Sequence, residues 1–220
     1  MTVAEDFVLL LTEPMSGKFR LSSMINDASL GGATLIDLIK AGRIELQGTK
    51  RKARVTLVDR NPTGNTVIDG AITALQAKGP LRAQTAVRVL GKKTREPLYE
   101  ALAARGLVRR EPHRLLGLFG NDRWPVIDST RREDLIRRIQ ASLLHDQPAD
   151  AETGPLIGLL AASDRLRIVV DRPEHKRVKA RAKVIAEDDW ASEEVRKAIQ
   201  TANAVMIAAI ASAASMSAGS

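Results

Sequence analysis

The sequence predicts a mainly α protein, a single helical domain with a central hydrophobic helix bundle and short β-hairpins. Three observations carry that prediction. Aromatic residues make up only 3% of the 220-residue chain, so a core drawn from its 44% apolar residues is built of Leu, Ile, Val and Ala, which favours helices. Apolar side chains recur at three- and four-residue spacing in segment after segment. Turn clusters such as "NPTGN" and "QPADAETGP" separate these segments, while internal repeats and long low-complexity tracts are missing. One domain over residues 1–220 follows, with residues 216–220 expected to fray.

Taken in order, Val3 to Leu11 is apolar enough for a buried helix, and "EPMSGKFR" holds a turn. In "NDASLGGATLIDLIKAGRIEL", Asn26 or Asp27 can cap a helix whose apolar face is Leu35, Ile36, Leu38 and Ile39, with Gly42 at its stop. "RIELQGTKRKARVTLVD" reads as a β-hairpin with a basic tip. After the turn at Asn61–Asn65, "TVIDGAITALQAK" gives a helix with Val67, Ile68, Ile72 and Leu75 on one side, and "LRAQTAVRVLG" a shorter one. "TREPLYEALAARG" predicts a helix from about Arg95 to Arg105, with Thr94 as N-cap, Pro97 in the first turn and Gly106 at the stop. A second hairpin follows, with Leu107 and Val108 as one strand, "RREPHR" as the turn and Leu115 to Phe119 as the other strand. "STRREDLIRRIQASLLHD" is an amphipathic helix, with Leu135, Ile136, Ile139 and Leu143 inward and Arg131, Arg132, Arg137 and Arg138 outward. "LIGLLAASDRLRIVV" reads as a buried helix, "DRPEHKRVKARAKVIAE" as a very basic stretch, and the last helix runs from near "DDWASEEVRKAIQ" into the Ala-rich tail.

Composition excludes several classes of chemistry. Cysteine is absent, so disulfides and thiolate catalysis are out, and a reducing compartment fits. His113, His145 and His175 are scattered without ligand spacing, which argues against a metal site and leaves no cofactor to propose. Phosphate-loop and nucleophile-elbow motifs are missing, and the acids at Asp188–Asp189 and Glu193–Glu194 are explained by a helix start, so no enzyme is expected. The acids around the first apolar run argue against a secretory leader, and "AVMIAAIASAASM" is shorter than a membrane span. A protein of this kind is expected to be cytoplasmic and to meet a membrane from its side. With 34 Lys+Arg against 26 Asp+Glu the net charge is +8, which attracts nucleic acid, anionic lipid or an acidic partner, or merely solvates the surface.

One helix breaks a local rule. Lys92, Lys93 and Arg95 crowd the start of the helix at Arg95, where the macrodipole prefers acids and Glu96 alone complies. Exposed amides at a helix N-terminus bind anions, and Lys92 and Arg95, three apart, can flank one phosphate. The plainer alternative is a salt bridge from Arg95 to an acid elsewhere.

These residues also carry a family resemblance. "NDASLGGATLIDLIKAGRIEL", the "PTG" turn, "TREPLYEALAARGLV", the "LGLF…WP" hairpin, "RREDLIRRIQASLL", "LIGLLAASD" and the Ala-rich last helix, in that order over nearly the whole chain, resemble the Golgi phosphoprotein 3 (GPP34) family; "AKVIAEDDW" and the Ala- and Arg-leaning composition look like its bacterial members. The resemblance implies a helical domain with short hairpins that binds phosphatidylinositol 4-phosphate, an acidic lipid, at the cytosolic face of a membrane as a peripheral adaptor. It implies that Lys92 and Arg95 are the basic pair of the headgroup pocket. Ile25 stands where the family has Trp, and Gly31 where it has Arg, so those two pocket positions are not retained. The family hairpin, implicated in self-association and membrane contact, corresponds to about Val108–Pro125, with Leu115, Leu116, Leu118, Phe119 and Trp124 as its apolar residues. A homo-oligomer is accordingly expected, with the protein cargo undefined. The alternative function is a winged-helix nucleic-acid-binding protein using residues 81–128, with Arg109, Arg110 and Arg114 on the wing.

Overall fold

Thr2 opens the first helix, α1 (Val3–Leu11), with a reciprocal cap: its Oγ1 accepts from Glu5 N, and Glu5 Oε2 accepts from Thr2 N. Two further amides at this end, Val3 N and Ala4 N, donate to Asp37 at 2.7 and 3.0 Å. Every residue of α1 is buried, so a helix apolar almost all round becomes the axis of the bundle, touching α2 (Ser23–Lys40), α5 (Arg95–Ala104), α6 (Thr130–Leu144) and α7 (Thr153–Ala162). Its two acids are buried because each has a cation: Glu5 meets Arg105 at 3.2 Å and Asp6 meets Arg131 at 2.7 Å. The structure, a computed structural model, describes residues 1–21, 23–48, 52–112, 114–115, 118–119, 122–171, 174–186 and 191–217.

The long helix α2 begins at Ser23, so Asn26 and Asp27 lie inside it and do not cap it. Leu30, Ala33, Leu35, Ile36 and Leu38 are fully buried. Its partners are α1, α3 (Thr66–Gln76), α4 (Ala83–Gly91), α7 and α9 (Glu193–Ser217). Against α4 and α9 the packing depends on glycine. A Cβ on Gly31 would lie 1.9 Å from the Val87 carbonyl oxygen, and one on Gly32 would lie 2.6 Å from Met206 Sδ.

Strands β1 (Ile44–Gln47) and β2 (Arg54–Leu57) form the expected first hairpin, pairing Ile44 with Leu57 and Leu46 with Val55; tip residues 49–51 lie outside the described residues. The sequence reading omitted β3 (Leu81–Arg82), which pairs antiparallel with Val55 and Arg54. Two residues are too few to show a period. Asn65, the last residue of the predicted turn, caps α3, its Oδ1 accepting from Val67 N and Ile68 N.

The second hairpin differs in register from the expectation. Val108 pairs with Val126 and Glu111 with Arg123, and the arms continue into β4 (Arg114–Leu115) and β5 (Leu118–Phe119). Arg109–Pro112 and Arg114 therefore belong to one arm, and the chain reverses between Leu115 and Leu118. Trp124 fixes this arrangement. Its ring stacks on Tyr99 of α5 at 5.0 Å, Phe19 meets Tyr99 edge-on at 6.3 Å, and the Arg110 guanidinium covers Trp124 at 5.5 Å. Three scattered aromatics and one arginine thus clamp the hairpin onto α5.

On α6 the inward face is as expected at Leu135, Ile139 and Leu143, but the arginine face is not all solvent. Arg131 reaches inward to Asp6, while Arg138 is held by Asp134, Asp150 and Glu152; Arg137 projects outward. The segment after residue 153 divides into α7 and a 3₁₀ turn at Leu166–Ile168, because Asp164 takes φ +54° and ends the helix. The basic stretch forms α8 (His175–Ile185). In α9, Ile199, Ala202, Val205, Met206 and Ala209 face inward. That helix continues through Ser217, and residues 218–220 of the tail expected to fray lie outside the described residues. The result is a mainly α single domain around one hydrophobic core.

Candidate anion-binding site at the turn between α4 and α5

Helix α4 ends at Gly91 and α5 begins at Arg95, so three residues make the whole turn. Lys92 is extended (φ −67°, ψ 123°), and Lys93 takes the left-handed φ of +61°. Thr94 stands at the N-cap position of α5 as expected. Its hydroxyl, however, donates back to the Leu90 carbonyl and makes no cap to α5.

This geometry explains part of the charge anomaly. Lys92 and Lys93 follow directly on the C-terminus of α4, the negative pole, where cations are favoured. A helix start that looks too basic is also a helix end that is suitably basic. Arg95 is left as the residue against the rule. It is half-buried, whereas Lys92 and Lys93 are exposed.

Lys92 and Arg95 both act electrostatically on one acid, Asp27 of α2. Asp27 is exposed, yet partial desolvation raises its carboxyl above the ordinary range, with the charges of Arg95 and Lys92 pulling the other way. Sequence reading assigned Asp27 to a cap and missed this role, because it lies 65 positions from Lys92.

Close approach of the backbones puts Asp27 there. A Cβ on Gly91 would lie 1.7 Å from the Asp27 carbonyl oxygen, and Gly31, one turn along α2, meets Val87 and Gly91 in the same way. The position where the family carries Arg is thus filled by α4 itself, and no side chain fits. Ile25 is half-buried and packs against the core. A glycine in each of two apolar helical segments was the available sequence signal for this crossing.

The hairpin residues fare unequally. Trp124 is 5% exposed, its ring committed to Tyr99, which corrects the expectation that it offers a membrane or oligomer contact. Leu116 lies outside the described residues, as do the side chains of Leu115, Leu118 and Phe119. The winged-helix alternative is not retained. Arg109 pairs with Glu111, and Arg110 with Glu96, Glu100 and Asp122. Glu96 and Glu100 are exposed on α5, the helix that would have to enter a groove, and they repel phosphates. The side chain of Arg114 lies outside the described residues.

Among the described residues, no group of three His, Asp or Glu could hold a metal ion, and no helix is long and apolar enough to cross a membrane. The chain is similar to vacuolar protein sorting-associated protein 74 of Eremothecium gossypii, with 25% identity over 164 residues, which is 66% of this chain and 49% of that relative. It thus spans about half the length of the curated relative it matches. A family model described as Golgi phosphoprotein 3 (GPP34) matches residues 3–202, from the first turn of α1 into α9, and on that match the chain belongs to the Golgi phosphoprotein 3 (GPP34) family.

Proposed function

We propose that the protein is a peripheral membrane adaptor that binds acidic lipid headgroups at the α4–α5 turn, with Lys92 and Arg95 contacting the headgroup phosphate. The observation that supports the reading is that Lys92 and Arg95 both act electrostatically on the same carboxylate, Asp27. A cluster of two cations that already attracts a carboxylate also suits a phosphate, provided Asp27 yields. Family membership supports a role of this kind.

With Ile25 and Gly31 at the other two pocket positions, recognition rests on charge. Phosphatidylinositol 4-phosphate is then one acceptable headgroup among several rather than a selected one. The protein acts without catalysis, from the cytoplasmic side, and any homo-oligomer adds avidity to a weak site.

Vesicle co-sedimentation tests the reading. Each basic side chain near an anionic surface is worth about 1 kcal/mol, so Lys92→Ala with Arg95→Ala weakens binding to phosphatidylglycerol vesicles about 30-fold. Rising salt weakens the native protein in the same direction. Unchanged sedimentation of the double variant at low salt rejects the site.

A further inference from the structure

The three-stranded sheet packs one face on α2, α3, α4 and α9 and leaves the other bare. On the inner face the buried Val55 pairs with Leu46 and Leu81. Side chains alternate along a strand, and directly opposed residues share a face. Gln47, Arg54 and Arg82 therefore form one row across the outer face, with Glu45 and Thr56 in the next. Glu45, Gln47, Arg54 and Arg82 are all exposed. Arg54 stands directly opposite Arg82, a position that sets Cβ atoms about 5 Å apart. Like charges so placed destabilise a sheet.

The rest of the chain leaves this repulsion in place. Among the described residues, neither Arg54 nor Arg82 makes an ion pair, and neither does Lys52, exposed two residues before Arg54. Glu45 lies diagonally across from Arg54 on the same face and leaves it unpaired. Arginines elsewhere find acids: Arg43, just before β1, pairs with Asp59, Arg110 with Glu96 and Asp122, and Arg138 with Asp150 and Glu152. A local rule broken without compensation inside the fold points to a compensation outside it.

We infer that this outer face docks an acidic segment of a partner protein, whose carboxylates Arg54 and Arg82 receive. Guanidinium groups take carboxylates through paired hydrogen bonds in one plane. Glu45 and Gln47 make the face mixed rather than uniformly cationic. That suits a peptide with its acids grouped and disfavours a bilayer surface that is anionic throughout. Single-stranded nucleic acid is held by stacking on aromatic rings, and these three strands contain none. The face is also separate from the headgroup site. Arg82 precedes α4 and Lys92 follows it, with the nine residues of that helix between them, about 15 Å along its axis. One anion does not bridge that distance, so the two readings fail independently.

A short fluorescein-labelled peptide alternating glutamate and serine is the probe, because alternate side chains of an extended strand share a face. Its anisotropy, titrated with the full chain at low salt, is expected to show saturable binding that weakens as salt rises. Arg54→Gln with Arg82→Gln weakens the peptide about tenfold and leaves binding to phosphatidylglycerol vesicles native. Arg82→Glu separates binding from folding. It sets opposite charges across the strands, so the urea midpoint rises while peptide binding is lost. Absence of saturable peptide binding overturns the inference, as does undiminished binding by either variant. An unchanged or lowered urea midpoint in Arg82→Glu removes the repulsion on which the inference stands. A duplex DNA oligonucleotide bound more tightly than the peptide and released by the same substitutions overturns it, by making nucleic acid the occupant. Parallel loss of vesicle binding overturns it by making a bilayer the occupant. The headgroup reading fails separately, through vesicle binding that survives loss of Lys92 and Arg95.

Discussion

Asp27 carries the sharpest consequence at the scale of the residue. Lys92 and Arg95 both act electrostatically on its carboxyl, so it competes with an anion for their charge. Its carboxyl titrates above the ordinary 3.8, with burial the leading cause. As the pH falls, Asp27 is protonated earlier than a free aspartate, and the two cations are released. Binding to phosphatidylglycerol, whose phosphodiester keeps its charge in this range, is expected to tighten as the pH falls. Asp27→Asn is expected to bind about three- to tenfold more tightly at neutral pH and to lose that pH dependence. Co-sedimentation across pH checks both, and a variant that binds more weakly at neutral pH refutes the competition. Trp124 teaches a different lesson at this scale. An apolar ring in a hairpin reads as a surface contact until Tyr99, 25 positions earlier, is seen stacked against it.

The decisive feature among the elements is the crossing of α2 and α4. Gly31 and Gly91 let the two backbones touch, and this contact positions both Asp27 and the turn that carries Lys92. A methyl group at Gly91 would need the Asp27 carbonyl to move, because no flexible side chain is there to give way. Gly91→Ala is therefore expected to destabilise the protein by about 1–3 kcal/mol or more. Gly70→Ala is expected to stabilise it by up to about 1 kcal/mol, since nothing opposes the added methyl. Urea denaturation of the two variants reads this opposition in sign, and equal shifts would remove the basis for distinguishing contact glycines from the exposed one.

Across the whole molecule, three buried acids, Glu5, Asp6 and Asp37, surround the start of α1. Glu5 and Asp6 have arginine partners, whereas Asp37 has the amides of Val3 and Ala4. Burial pushes the Asp37 carboxyl up to about 7 from 3.8, against the hydrogen bonds, which favour its charge. Its folded-state value lies above its unfolded value, so the native state holds the extra proton between them. Stability from this group is consequently lost as the pH rises through that window and is level above it. Asp37→Asn removes the titration. The stability of the variant relative to the native protein is expected to rise between about pH 4 and about pH 7 and to be flat beyond. Denaturation curves at stepped pH check this, and a difference that is constant or of opposite slope refutes it.

Local chemistry made most of the elements legible. Helical periodicity marks α3, α6 and α9 because each buries a stripe its own sequence displays, continuous apolarity marks α1, and Asn65 caps α3 by reaching amides two and three residues away. Lys92 and Arg95 were visible as an anomaly for the same reason, since a helix dipole is a local property. Tertiary structure alone decided the rest. The split of α7 from the 3₁₀ turn and the short pairing of β3 leave no periodic trace. The burial of Trp124 and the partnership of Asp27 with Lys92 and Arg95 join segments far apart in the chain. The groove beside Gly70 exists only once α2, α3, α4 and α5 are in place. Sequence determined which faces must be buried, because apolar surface and backbone hydrogen bonding are set residue by residue. What those faces meet depended on helices brought into contact from a distance, and so did the balance of charge at the site.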